Sequence, residues 1–158
     1  MPIEREQFFR LMASFASGVT VVTSHEADGN PRGFTASAFT SLSLEPRLCV
    51  VCVDNRSESL PAIQATRMFA VNILAEPQRH LSTLFASKAP DKFAKVRYRR
   101  GEATGAPIID GALAYIECRV QEMLPGGDHT ILVGEVLGGE ANEGAPLLYF
   151  RGQYRRLG

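Results

Sequence analysis

The 158-residue sequence predicts a mostly β protein with flanking helices, an antiparallel barrel with its helices on the outside. Three observations carry this. About six or seven β-rich runs follow one another at short spacing. The helical stretches are two or three, short, and out of regular alternation with the strands, which argues against a doubly wound parallel sheet. The composition is that of an ordinary globular chain, 45% hydrophobic and 22% charged. No repeat, low-complexity tract or interdomain linker interrupts it, so a single domain over residues 1–158 is expected.

Glu4 to Ser17 predicts a helix, because Phe8, Leu11, Met12 and Phe15 fall on one stripe at i, i+3, i+4 and i+7, and Gly18 stops it. GVTVVTS and GFTASAFTSLSL then predict two strands around a turn at Asp28-Gly29. In the second, Phe34, Ala36, Ala38, Thr40, Leu42 and Leu44 alternate with Thr35, Ser37, Phe39, Ser41 and Ser43. A strand sends alternate side chains to opposite faces, so one face is predicted apolar and the other a row of hydroxyls. Glu45-Pro46 ends it, and RLCVVCVD begins a buried third strand. Ser57 to Thr66 reads as a helix with Pro61 in its first turn, MFAVNIL as a strand, and Pro77 to Ser87 as a helix with Leu81, Leu84 and Phe85 on one side. Lys88 to Gly105 is charged and predicted irregular; ALAYIECRVQEML, HTILVGEVLGGE and PLLYFRGQYRRL predict three more strands.

Lys plus Arg and Asp plus Glu balance at 17 each, which removes the basic field that nucleic acid or an anionic membrane would need. No stretch approaches the ~20 apolar residues of a membrane span, and MPIEREQFFRLM has no signal-like apolar run, so a cytoplasmic location is expected. Three cysteines argue against a disulfide framework. Cys49 and Cys52 form a C-x-x-C, but inside a strand their side chains diverge, and they read as small core residues. His25, His80 and His129 are too scattered for metal-ligand spacing. G-x-G-x-x-G, the P-loop, H-E-x-x-H and G-x-S-x-G are all absent.

Three features stay open on residue chemistry alone. The hydroxyl row is either a solvated face or a ligand edge. Val53 to Ser59 leaves a strand and enters a helix, where Arg56, Ser57 and Ser59 are either an anion clamp or a helix cap. Gly126-Gly127-Asp128-His129 is either a turn with a hydrogen-bonded histidine or a place where a ligand approaches closely.

Taken in order, GVTVVTS, RGFTASAFTSLSLEP, CVDNRS, FAVNIL, LFAS with DKF, GAPII, ECRV, GGDHTILVGEV and PLLYFRGQY resemble the successive motifs of the short-chain flavin reductases, from about Phe8 to Tyr154. These are the reductase components of two-component flavin-dependent monooxygenases. The resemblance implies a flavin-binding antiparallel split β-barrel that transfers a hydride from NAD(P)H to FMN or FAD and supplies reduced flavin to a partner monooxygenase. NADH is favoured over NADPH because no basic pocket for a 2′-phosphate is evident, and a homodimer is expected. The resemblance lays Gly33, Phe34, Thr35, Ala36, Ser37 and Ser41 along the isoalloxazine ring, with the Thr35 and Ser37 hydroxyls bonding its polar edge and N5. It puts Val53, Asp54, Asn55, Arg56 and Ser57 beside the ribityl chain and phosphate, closes Phe85, Ala86, Ser87 and Lys88 over the phosphate, and borders the pocket with Phe93. His129 becomes the catalytic candidate, orienting the nicotinamide or its carboxamide, with Tyr149 and Arg151 nearby. Two alternatives accompany this: a flavin-binding electron-transfer protein on the same barrel that does not use NAD(P)H directly, and a pyridoxamine-phosphate-oxidase-like barrel holding haem or a phosphorylated pyridoxine.

Overall fold

A computed structural model describes residues 1–158. Its elements are helix α1 (Arg5–Ala13), strands β1 (Ser17–Gly18), β2 (Thr20–His25), β3 (Pro31–Ala36), β4 (Phe39–Ser43) and β5 (Leu48–Asp54), helix α2 (Ser59–Thr66), strand β6 (Met68–Ile73), a 3-10 turn (Glu76–Gln78), helix α3 (Arg79–Ala86), and strands β7 (Tyr98–Arg100), β8 (Pro107–Ile109), β9 (Ala114–Gly126), β10 (His129–Ala141), β11 (Leu148–Phe150) and β12 (Gln153–Arg155). Seven strands form one antiparallel sheet in the order β3-β2-β6-β9-β10-β5-β4. β3 and β4 are consecutive in sequence yet occupy opposite edges of that sheet. The two-residue link Ser37-Ala38 therefore rolls the sheet into a barrel, and Cys52 N–H donates to the Ala38 carbonyl (3.1 Å) across the seam. The edges meet at this corner without pairing into a ladder, which leaves the barrel split along β3.

Residues 20–24 of β2 are all buried because apolar layers cover both of its faces. Val22 points into the barrel with Val51, Val53, Phe69, Val71 and Leu132, where Leu60 and Ile63 of α2 plug the interior. Val21 faces outward, where Leu81 and Phe85 of α3, with Phe93 and Ile109, cover the sheet. Each fully buried side chain of this size contributes roughly 1.5–3 kcal/mol. Asn72 is fully buried and fully bonded: its amide N–H groups reach the Val21 (3.1 Å) and Pro107 (3.4 Å) carbonyls and Thr23 Oγ1 (3.2 Å), while its oxygen accepts Ile109 N–H (2.8 Å). β8 is thereby tied to the outer face of the sheet.

Several expectations change. The strand predicted through residues 33–44 breaks at Ser37-Ala38, because the chain must leave one edge of the barrel and join the other. Beyond that corner the predicted apolar face turns outward, and Leu44 is 74% exposed. α1 stops at Ala13, and none of its residues is buried. The last predicted strand is a hairpin whose turn residues Arg151 (φ 49°) and Gly152 (φ 77°) both take left-handed backbone, the pairing that two-residue hairpins favour. No helix is long and apolar enough to cross a membrane.

Candidate active site

An edge strand presents half its backbone N–H and C=O groups away from the sheet, so an unzipped seam is a ready polar wall. A cavity of about 760 Å³ runs along this seam. Residues 33–38 form one wall; Cys52, Asp54, Arg56, Ser57 and His129 form the end at β5 and β10; Phe85 to Phe93 close the opposite side. Gly33 has a steric reason to be glycine. A Cβ there would sit 3.0–3.1 Å from the rings of Phe85 and Phe93, which pack edge to face at 5.0 Å.

Of the predicted site residues, Gly33, Phe34, Thr35, Ala36, Ser37, Asp54, Arg56, Ser57, Phe85, Ala86, Ser87, Lys88, Phe93 and His129 line this cavity. Five do not. Val53 points into the barrel core, since alternation along β5 sends Cys52 and Asp54 to the cavity side and Val53 inward. Ser41 lies past the corner on β4, opposite Cys49. The Asn55 side chain is committed to the β9–β10 hairpin: its oxygen accepts Thr130 Oγ1 (2.6 Å), its amide faces the Gly127 carbonyl (3.5 Å), and its backbone N–H donates to Asp128 (3.0 Å). Tyr149 lines a smaller cavity with Arg79 and Tyr154. Arg151 donates from its backbone to Ala13 (3.0 Å) and from its guanidinium to Ser14 (3.4 Å). Within one chain, neither of these last two residues stands with His129.

The hydroxyls also do less toward a ligand than their alternation suggests. Thr35 Oγ1 donates to the Ser82 carbonyl of α3 (2.7 Å), and Ser82 Oγ meets Tyr154 Oη (2.7 Å). Ser57 Oγ accepts Ser59 N–H (3.2 Å) at the start of α2, and Ser87 Oγ donates to the Leu84 carbonyl (2.6 Å). What remains toward the cavity is the edge backbone of β3, the exposed Ser37 and the charged groups.

Those charged groups are well defined. Asp54 accepts the backbone N–H (2.8 Å), Nε (3.3 Å) and Nη2 (3.0 Å) of Arg56, and these bonds pull its pKa down to about 2. His129 lies opposite Asp54 in the β5–β10 register, and its Nδ1 is 2.7 Å from Asp128 Oδ1. An ionised carboxylate only accepts, so Nδ1 is the donor of this pair and Nε2 is the ring nitrogen left open toward a ligand. Lys92 donates to the Phe85 carbonyl (3.1 Å), and burial lowers its pKa. Lys92 sits in DKF beside Phe93, and Arg32 sits one position before Gly33; both line the cavity, as does Cys52, and none was picked as a site residue from sequence. The strand period could have found Cys52, since it shares a face with Asp54.

A rolled antiparallel sheet with an elongated polar cleft along its open seam defines a cofactor-binding split barrel. The chain belongs to the flavin reductase like domain family, whose pattern matches residues 12–158. It is 43% identical over 92% of its length to the actinorhodin polyketide dimerase of Streptomyces coelicolor, covering 82% of that protein. It is 42% identical over 96% of its length to the reductase subunit HsaB of a flavin-dependent monooxygenase of Mycobacterium tuberculosis, again covering 82%. Its fold superposes with a TM-score of 0.92 on the NADH:FAD oxidoreductase SgcE6 of Streptomyces globisporus, in complex with NAD and FAD fragments, at 38% identity, covering 98% of this chain and 93% of that one.

The residues fit a flavin. The volume lies within the ~300–1,000 Å³ of small-molecule sites. The edge backbone suits the polar margin of the ring, the Phe85–Phe93 pair its apolar body, and Lys88 and Lys92 a phosphate.

Proposed function

We propose that this protein is an NADH-dependent flavin reductase that delivers reduced flavin to a separate monooxygenase. The single observation that carries the proposal is the seam cavity itself. It has a backbone wall on β3, a lysine-bearing loop on one side and the Asp128–His129 pair at the end of β10. A bound flavin supplies the redox chemistry, accepting a hydride from the reduced nicotinamide. The chain holds the ring plane against the β3 edge and draws the phosphate to Lys88 and Lys92. His129, fixed by Asp128, offers Nε2 to the carboxamide N–H of the nicotinamide and so sets the approach of its ring. No nucleophile is required, which fits a cavity where Ser57 and Ser87 bond the backbone.

The protein works in the cytoplasm as a homodimer. The support for a dimer is the apolar face of α1, where Phe8, Leu11 and Met12 are exposed, together with Phe15 just past its end, which is 80% exposed. More apolar surface lies there than a lone chain ordinarily leaves in water.

The test is oxidation of NADH or NADPH followed at 340 nm with added FMN or FAD. Rapid turnover that requires flavin and prefers NADH is expected. Bound yellow flavin without turnover from either nucleotide would replace this function with that of a flavin-binding electron carrier.

A further inference from the structure

The far end of the cavity is built differently from the rest. Arg32, at the start of β3, donates from Nε (3.1 Å) and Nη2 (2.9 Å) to Glu26 Oε1, and from Nη1 (3.2 Å) to Glu58 Oε2. One guanidinium is thus clamped between two carboxylates, with its side chain 28% exposed at the cavity wall. The cluster carries one more negative than positive charge, so it repels a phosphate. It suits a flat, neutral heterocycle instead: a guanidinium plane stacks on such a ring, and carboxylates accept from an exocyclic amino group.

The cations on the loop opposite differ again. Arg56 is neutralised by Asp54, but Lys88 and Lys92 have no carboxylate within ion-pair distance, and Asp91 is the one unpaired acid beside them. Lys92 is held by the Phe85 carbonyl and lines the same cavity as Arg32 and Glu58, whose charges act on it. Two ammonium groups without a carboxylate partner, in one cavity with a stacking surface, match a diphosphate joined to an adenine better than a single terminal phosphate.

We infer that the flavin taken by this cavity is the dinucleotide FAD, with Lys88 and Lys92 on its diphosphate and the Arg32–Glu26–Glu58 clamp as the platform for its adenine. This rests on the flavin-reductase reading and adds the choice of flavin and the residue that makes it. Arg32 is the specificity-determining residue; FMN, which lacks adenine, does not reach it.

Isothermal titration calorimetry of the purified full chain with FAD and with FMN tests this in wild type, Arg32→Ala and Arg32→Lys. FAD is expected to bind at least tenfold more tightly than FMN in wild type. Both variants should bring the FAD Kd close to that of FMN and leave the FMN Kd unchanged. Arg32→Lys keeps the charge and loses the plane, so it carries the test even if Arg32→Ala folds poorly. Equal wild-type affinity for the two flavins, or equal weakening of both in the variants, overturns the inference. So does a raised KM for NADH with an unchanged FAD Kd, which would assign the platform to the nicotinamide dinucleotide. Wild type that binds neither flavin overturns the reductase reading as well, a result distinct from FMN and FAD binding alike.

Discussion

Thr35 shows how one hydroxyl is divided between ligand and fold. Its proton goes to the Ser82 carbonyl, so α3 is fastened to the edge strand that walls the cavity. His129 is the opposite case: its partner Asp128 adjoins it in sequence, and its other nitrogen stays open. Replacing His129 with Ala should raise the KM for NADH about tenfold, the scale of one lost hydrogen bond, and leave the flavin Kd unchanged. Steady-state kinetics beside flavin titration checks this, and unchanged kinetics returns His129 to an ordinary turn residue. At Asp54 the linkage has a definite sign. Its folded pKa of about 2 lies below the ordinary 3.8, so the Arg56 pair contributes fully above pH 4 and is lost as pH falls toward 2. The urea midpoints of wild type and Asp54→Asn should therefore differ by a constant amount from pH 5 to 8 and converge below pH 4. Arg56 stands in solvent and Asp54 is only half-buried, so the gap is small.

At the scale of elements, β8 docks through the buried Ile108 and Ile109, and Asn72 with Thr23 fixes its backbone against the sheet. Asn72→Ala leaves Ile109 N–H and the Pro107 carbonyl without that partner inside a dry layer. We expect a loss of about 2–4 kcal/mol in urea denaturation. A loss under 0.5 kcal/mol would mean that β8 is held by other contacts. The Phe85–Phe93 pair sets a tighter condition on β3. Gly33→Ala pushes a methyl into both rings, so α3 or the edge strand must shift by a few tenths of an ångström. Because both line the cavity, the flavin Kd should rise several-fold with little change in thermal midpoint, and unaltered flavin binding would show that the wall yields without consequence.

At the scale of the whole molecule, the open questions are the barrel's seam and α1. The seam exists because consecutive strands occupy opposite edges of one sheet. The α1 face calls for a partner. Phe15→Glu puts a charge at the most exposed aromatic of this patch, two residues past the helix, and should convert a dimer to a monomer in size-exclusion chromatography with light scattering. Wild type running as a monomer would remove the homodimer from the proposed function.

The local sequence determined the elements with strong periodicity. RLCVVCVD, MFAVNIL and the two long strands β9 and β10 stand where β-branched alternation put them, because burial on a pleated surface is a short-range pattern. It also placed most of the cavity-lining residues through motif order. It could not reverse the alternation after Ser37 or set Arg32 between Glu26 and Glu58, since these depend on which strands become neighbours when the sheet rolls. Only the tertiary structure decided that the hydroxyl of Thr35 bonds the fold, and that the cations free to meet a phosphate are those of the 88–92 loop. The physical reason is reach. A side chain's partners are set within about 3 Å in space, and the Ser82 partner of Thr35 lies 47 positions away along the chain and the Glu58 partner of Arg32 26 positions away, at separations that no period of the sequence encodes.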